Sequence, residues 1–169
     1  MTFYRGDGRD HRGRSLSDIH EFDFSELECH HDYIQWLFPL PEPSGANASA
    51  PLLSKDDIAA FESDDSLRRA LLHSFRLMLQ FYGLDLVDGS ADVEVVLGAS
   101  FNERSGLWLA RGNHNFLRVT RMLRSLTLLG CSSYAVACRE CLDRIYAENP
   151  ETIGSTTIGY WRRAVTTTA

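Results

Sequence analysis

His114, Arg118 and Arg121 stand at i, i+4 and i+7, with Asn115 beside the first of them. On a helix this spacing puts three basic side chains on one face. They fall in the first turns, where backbone N–H groups have no partner within the helix. Such a face suits an anion, because guanidinium grips carboxylate or phosphate with two bonds and the helix N-terminus adds its own donors. In a chain of net charge -6 the same arginines have a second use, pairing with Asp and Glu of neighbouring helices. Spacing alone leaves both readings open.

A second set lies near the N-terminus. His30 and His31 fall on an apolar stripe with Leu27, Ile34, Leu37 and Phe38. The stripe predicts that at least one imidazole is buried, either as an acid/base or ligand group or as a hydrogen-bonded core histidine. Tyr33 and Trp36 share another face, suited to lining a pocket or to packing under a loop. Glu28-x-x-His31 has the spacing of a di-iron ligand pair, but no second copy exists to complete that site. Cys138-x-x-Cys141 likewise has no second Cys-x-x-Cys and lies on a helical apolar stripe, so small buried thiols are expected. No metal or cofactor is expected: glycine-rich phosphate loops, Gly-x-Ser-x-Gly and His-Glu-x-x-His are all absent.

These residues need helices to position them. Ser15 to Asp23 predicts a short helix carrying Ile19 and Phe22. Ser25-x-x-Glu28 reads as a capping box opening a helix that runs to Phe38 and stops at Pro39 and Pro41. Residues 41–51 form a long loop, and Ser54 opens a helix through Phe61. A longer helix spans 65–82, with Leu67, Leu71, Phe75, Met78 and Tyr82 or Leu79 inward and Gly83 as its stop. Asp88-Gly89 marks a turn between two β-prone runs, so residues 84–97 read as a small hairpin or as an irregular loop. Phe101 to Leu109 returns to helix. Asn113 starts the next, with Phe116, Val119, Leu123 and Leu126 inward and Gly130 as stop. Ser132 or Ser133 caps a last long helix to Glu148, closed by Asn149-Pro150. Beyond it, Tyr160-Trp161 is expected to anchor a tail that frays over 166–169. The expectation is a mainly α, single-domain bundle of about six or seven helices over residues 15–165, preceded by a flexible arm, 1–14.

Length and composition agree. The 169 residues suffice for one core, and 44% apolar with 24% charged is the balance of a soluble globular chain. The acidic balance argues against nucleic acid, whose phosphates demand basic surface. No apolar run reaches the roughly 20 residues of a membrane helix, and the polar, arginine-rich first residues do not read as a secretion signal. A cytoplasmic location with reduced cysteines is therefore expected. Oligomeric state has no signal.

Glu28-x-x-His31-x-Tyr33-Ile34-Gln35-Trp36-Leu37-Phe38-Pro39-Leu40 resembles the signature of the opioid growth factor receptor conserved domain. Pro43, Asn47, Ala50-Pro51-Leu52-Leu53, Ser74, Met78-Leu79, Phe81-Tyr82-Gly83 and His114-Asn115-x-Leu117-Arg118-x-Thr120-Arg121 follow in the family's order. The resemblance spans Ile19 to Ile145. It implies a helical domain unrelated to the seven-helix opioid receptors. In animals the family's receptor binds met-enkephalin and restrains proliferation at the nucleus, so a binding role and a nuclear or membrane association are what the resemblance implies. It also marks His31, Gln35 and Trp36, with Asn115, Arg118 and Arg121, as signature residues, most of them polar. The expectation is that the two helices carrying them converge on one pocket for a small anionic ligand or peptide. The site set is His31, Tyr33, Gln35, Trp36, His114, Asn115, Arg118 and Arg121. Two alternatives differ in class: an enzyme with His31 or His114 as proton donor and the arginines holding substrate charge, or an interaction scaffold.

Overall fold

The computed structural model describes residues 2–89 and 92–166. The chain is mainly helical, with 62% of residues in helix and one two-stranded hairpin. Among the described residues there are ten helices, six of them of seven residues or more, beside the predicted six or seven. The remaining four are short elements of four to six residues. The expected tail 166–169 lies outside the described residues except for Thr166. The chain divides into two compact units that meet in sequence at Leu77 and Met78.

The first unit holds α1 (Thr2–Arg5), α2 (Leu16–His20), α3 (Phe24–Cys29), α4 (Ile34–Leu37), α5 (Lys55–Ser63) and the opening of α6 (Asp65–Tyr82). Helices this short do not persist alone, since nucleation costs more than a turn returns. Side-chain caps and buried apolar residues supply the difference. Reciprocal capping boxes start α2 (Ser15 with Asp18), α3 (Asp23 with Glu26) and α5 (Ser54 with Asp57). Ile19, Leu27, Leu37 and Phe61 are wholly buried beneath them. At the N-terminus, Phe3 and Tyr4 are buried, and the Tyr4 hydroxyl donates to the Leu37 carbonyl.

The predicted helix 25–38 is corrected in two ways. Its cap is Asp23, not Ser25, and it breaks at His30, whose backbone is extended at φ -89 and ψ 130. The break is held by side chains that take over α3's terminal carbonyls. The Tyr33 hydroxyl donates to Leu27 at 3.0 Å, and the His31 ring bonds Glu28 at 3.0 Å. Asp32, between them, is drawn aside by Arg12 and Arg14. Periodicity cannot register such a turn, because the apolar residues resume in phase on α4. The 41–51 loop is present as expected. The Asn47 amide donates to the Asp32 carbonyl at 3.1 Å, and Leu40 bridges Leu52.

The second unit holds the close of α6, strands β1 (Leu84–Asp88) and β2 (Val93–Leu97), α7 (Phe101–Trp108), α8 (Asn115–Leu128), α9 (Ser132–Glu148) and α10 (Pro150–Ala164). The strands are antiparallel, Leu84 opposite Leu97 and Leu86 opposite Val95, the hairpin of the two readings that the Asp88-Gly89 turn signal left open. α8, α9 and α10 pack on one another, and α9 lies against β2. The inward faces predicted for α6 and α8 are buried throughout. Gly83 ends α6 at φ +78. Asn113 starts α8 through its side chain, whose Oδ1 accepts from Asn115 N at 2.9 Å. Cys131, rather than Ser132 or Ser133, holds the cap position of α9.

The larger correction is α10, where a tail was expected. Glycine, threonine and serine give residues 150–160 poor helix propensity, and Gly154 interrupts the helix at φ 79 and ψ 153. Tertiary contact overrides propensity: Ile153, Ile158 and Trp161 are buried, while Tyr160, predicted as the other half of the anchor, stays 46% exposed. Among the described residues no helix is long and apolar enough to cross a membrane.

Candidate functional site

In the first unit the turn between α3 and α4 places four of the predicted residues. His31 is exposed and His30 half-buried, so neither imidazole is the buried core histidine that the stripe predicts. A carbonyl can only accept, so the His31 bond to Glu28 fixes the ring's proton on Nε2. Tyr33 is wholly buried, its ring edge-on to Phe22 at 5.9 Å. Trp36 is half-buried and meets other neighbours, Phe3 at 5.2 Å and a stacked His11 at 6.3 Å. Gln35 is only 4% exposed. Two atoms here are shielded from water with no hydrogen-bond partner, Gln35 Oε1 and Trp36 Nε1.

Beside this turn lies a charged knot. Asp10, its side chain fully buried, accepts from Arg14 Nε at 2.6 Å and from the backbone of Arg12 and Arg14. Arg14 continues to Asp32 at 3.0 Å, where Arg12 and His11 also bind. Burial alone would raise the Asp32 pKa, but hydrogen bonding and charge from Arg14, then charge from Arg12, hold it below the ordinary carboxylate value.

In the second unit α8 carries the predicted basic set. His114 occupies its cap position and is half-buried, as is Arg121. Asn115 is wholly buried and Arg118 is 5% exposed. These two are brought together: Arg118 Nη1 donates to Asn115 Oδ1 at 3.2 Å. A guanidinium stays charged at any depth, so the bond to Asn115 helps to hold a buried charge.

A further constellation in the first unit escaped the sequence reading. α1, α2 and α6 border an open cleft of about 410 Å³ whose lining includes Arg5, Leu16, His20, Arg69 and His73. The His20 and His73 rings lie with centroids 4.2 Å apart, tilted by 31°. His20 Nε2 meets the buried Ser74 Oγ at 2.8 Å, and that hydroxyl faces the Ala70 carbonyl at 3.3 Å. With the serine proton given to Ala70, Nε2 must donate, leaving Nδ1 as the basic nitrogen of His20. Burial first, then the charge of His73, pushes the His20 pKa down to about 4. The sequence did hold a signal. Arg69 and His73 are an i, i+4 pair of basic residues, a like-charge spacing that costs helix stability when nothing neutralises it.

Three of the four cysteines act as apolar fillers. Cys131, Cys138 and Cys141 are buried, Cys29 is exposed, and all four are free thiols. Burial pushes the Cys138 and Cys141 thiols up, away from the thiolate a metal needs. Among the described residues no group of three or more histidine, cysteine or carboxylate side chains is placed to hold a metal ion.

Residues 11–166 match the family described as the opioid growth factor receptor (OGFr) conserved region. Among relatives, the chain is similar to opioid growth factor receptor-like protein 1 of Mus musculus, 37% identical over 118 residues, covering 66% of this chain and 23% of the relative. It is 41% identical over 112 residues to the opioid growth factor receptor of Mus musculus, covering 66% of this chain and 17% of that protein. To the opioid growth factor receptor of Homo sapiens it is 35% identical over 139 residues, 79% of this chain and 20% of the relative. The chain thus spans about a fifth of the length of these relatives. No solved structure matches it.

Proposed function

The chain belongs to the opioid growth factor receptor conserved-region family, and from that premise we propose that it is a binding module for a small anionic ligand or a peptide. The observation that carries this reading is the pair of shielded, unpartnered atoms on α4, Trp36 Nε1 and Gln35 Oε1. Leaving a buried donor or acceptor unsatisfied costs about 1–3 kcal/mol each. One is a donor and the other an acceptor, which is the complement of a peptide unit's C=O and N–H. His31 and Tyr33 are the proposed frame, since their bonds to Glu28 and Leu27 fix the turn that aims α4. In the second unit the proposed contacts for negative charge are His114, Arg118 and Arg121, with Asn115 steadying Arg118. The relatives named as receptors for an opioid growth factor favour a peptide.

The test begins with native mass spectrometry of freshly purified protein for a co-purifying molecule. Calorimetric titration with acidic, neutral and opioid peptides follows, on wild type, Trp36→Phe and Arg121→Ala. Trp36→Phe removes the N–H with the part of the indole that bears it and keeps an aromatic ring at the site. The reading expects it to weaken binding about tenfold, the worth of one buried hydrogen bond. Retained affinity in both variants, with a peptide that does bind, would refute it.

A further inference from the structure

We propose that the cleft bordered by α1, α2 and α6 is a binding site for a small phosphomonoester, gripped by Arg5 and Arg69 and completed by His20 and His73. The site is separate from the residues of the binding reading above and does not depend on it.

The argument starts from charge. The protein carries a net -6, so its general field repels anions. Yet two guanidiniums and two imidazoles line one cleft. The charged and titratable groups around it are few. From α1 come Arg5 and Tyr4, the latter with its hydroxyl already given to Leu37. From α2 comes His20, while Asp18 of the same helix is engaged by Ser15 and Arg9. From α6 come Arg69 and His73, with the hydroxyl of Ser74 behind His20. The carboxylate that reaches Arg5 is the half-buried Asp64, 3.4 Å away. Asp64 neutralises at most one of the two guanidiniums.

The geometry then selects the ligand class. Two imidazoles with centroids 4.2 Å apart repel each other when both are charged, and an anion between or beside them offsets that repulsion. A bound dianion removes that conflict and stabilises both imidazolium forms. Phosphomonoesters become dianions near pH 6, the window in which histidine itself titrates, and their three oxygens match two guanidinium forks. The cleft of about 410 Å³ exceeds what a bare oxyanion needs, which leaves room for an organic body against Leu16 and Ala70. His20 arrives already oriented, since its Nε2 bond to Ser74 fixes the ring and leaves Nδ1 to take the proton.

Histidine-ring NMR on the whole chain tests this, with inorganic phosphate and phenyl phosphate as probes and benzoate as the monoanion control. Both phosphates should move the His20 and His73 resonances and raise their titration midpoints, leaving His30, His31 and His114 unchanged. Phenyl phosphate should bind tighter than inorganic phosphate, and benzoate weakly. Arg69→Ala and His73→Ala alter exposed residues and should fold normally. Each should weaken phenyl phosphate binding about tenfold, one charge-assisted contact, with Arg69→Lys recovering part of the loss. Two results overturn the proposal. One is rings of His20 and His73 that do not respond to either phosphate in folded protein. The other is equal affinity in wild type and Arg69→Ala.

Discussion

His20 and His73, from α2 and α6, face each other at 4.2 Å between ring centroids, with His20 held from behind by Ser74. Their proximity makes stability depend on pH. The His20 pKa is about 4 in the folded protein against 6.5 for an ordinary histidine, because burial and then His73 disfavour its charge. The unfolded chain therefore binds this proton more readily. Stability from His20 is complete above pH 6.5, falls as the pH drops toward 4, and changes no further below. Urea melts across this range should show the decline in wild type and a shallower one in His20→Gln. His73→Ala removes the second cause and should also flatten the slope. Superposable profiles for all three proteins would show that the imidazoles do not interact.

Asp32 governs a lower window with the same sign. Its folded pKa lies below the ordinary 3.8, so its contribution is present above that value and is lost as the pH falls through the folded one. Asp32→Asn leaves Arg14, Arg12 and His11 facing a neutral amide. The side chains of Asp32 and Arg14 are mostly buried, and removing one partner of such a pair costs about 1–3 kcal/mol. Chemical denaturation at neutral pH measures the loss. An unchanged midpoint would show that the knot is surface decoration.

Much of this architecture is legible from residue types, and the misses share a cause. α6 and α8 announce themselves because long apolar stripes end at glycines whose conformation only glycine adopts readily. Asp88-Gly89 signals the turn, and the pairing of Leu84 with Leu97 and Leu86 with Val95 decides for a hairpin over an irregular loop. The break at His30 was hidden because its causes are side-chain bonds from Tyr33 and His31 to carbonyls of the preceding turn, which leave no mark on periodicity. α10 was hidden because Gly154, Gly159 and a run of threonines argue against helix, and the burial of Trp161 that overrides them is a tertiary fact. The site reading has the same limit. Asn115 and Arg118 were legible as neighbours from their spacing. The i, i+4 spacing of Arg69 and His73 was a signal, but their meeting with His20 was not legible, since it lies about fifty residues away in the chain and joins them only after folding.

Gly83→Ala should be costlier than Gly112→Ala. Both glycines sit at positive φ, +78 and +74, so either substitution strains the backbone by about 1 kcal/mol. At Gly83 a Cβ would also stand 2.7 Å from the Phe101 Cα and 3.1 Å from its nitrogen, both backbone atoms that cannot rotate away. At Gly112 nothing lies within 4 Å. Thermal unfolding of the two variants separates steric clash from conformational strain. Equal melting temperatures would mean that α7 shifts freely away from the end of α6.

Trp161 decides whether α10 belongs to the core of the second unit. It is wholly buried, stands edge-on to Phe116 at 5.6 Å and 83°, and donates from Nε1 to the Phe116 carbonyl at 3.0 Å. That carbonyl also accepts from Thr120 Oγ1 at 3.0 Å, so losing the indole does not orphan it. Trp161→Phe should therefore cost about 1–2 kcal/mol, mainly lost packing with one hydrogen bond. Trp161→Ala should cost about 3–5 kcal/mol, the range for emptying a large aromatic site. Tyr160→Ala, next to it but 46% exposed, should change stability little. Denaturant midpoints in that order establish α10 as core. A Trp161→Ala protein as stable as wild type would show instead that α8 and α9 stand without it.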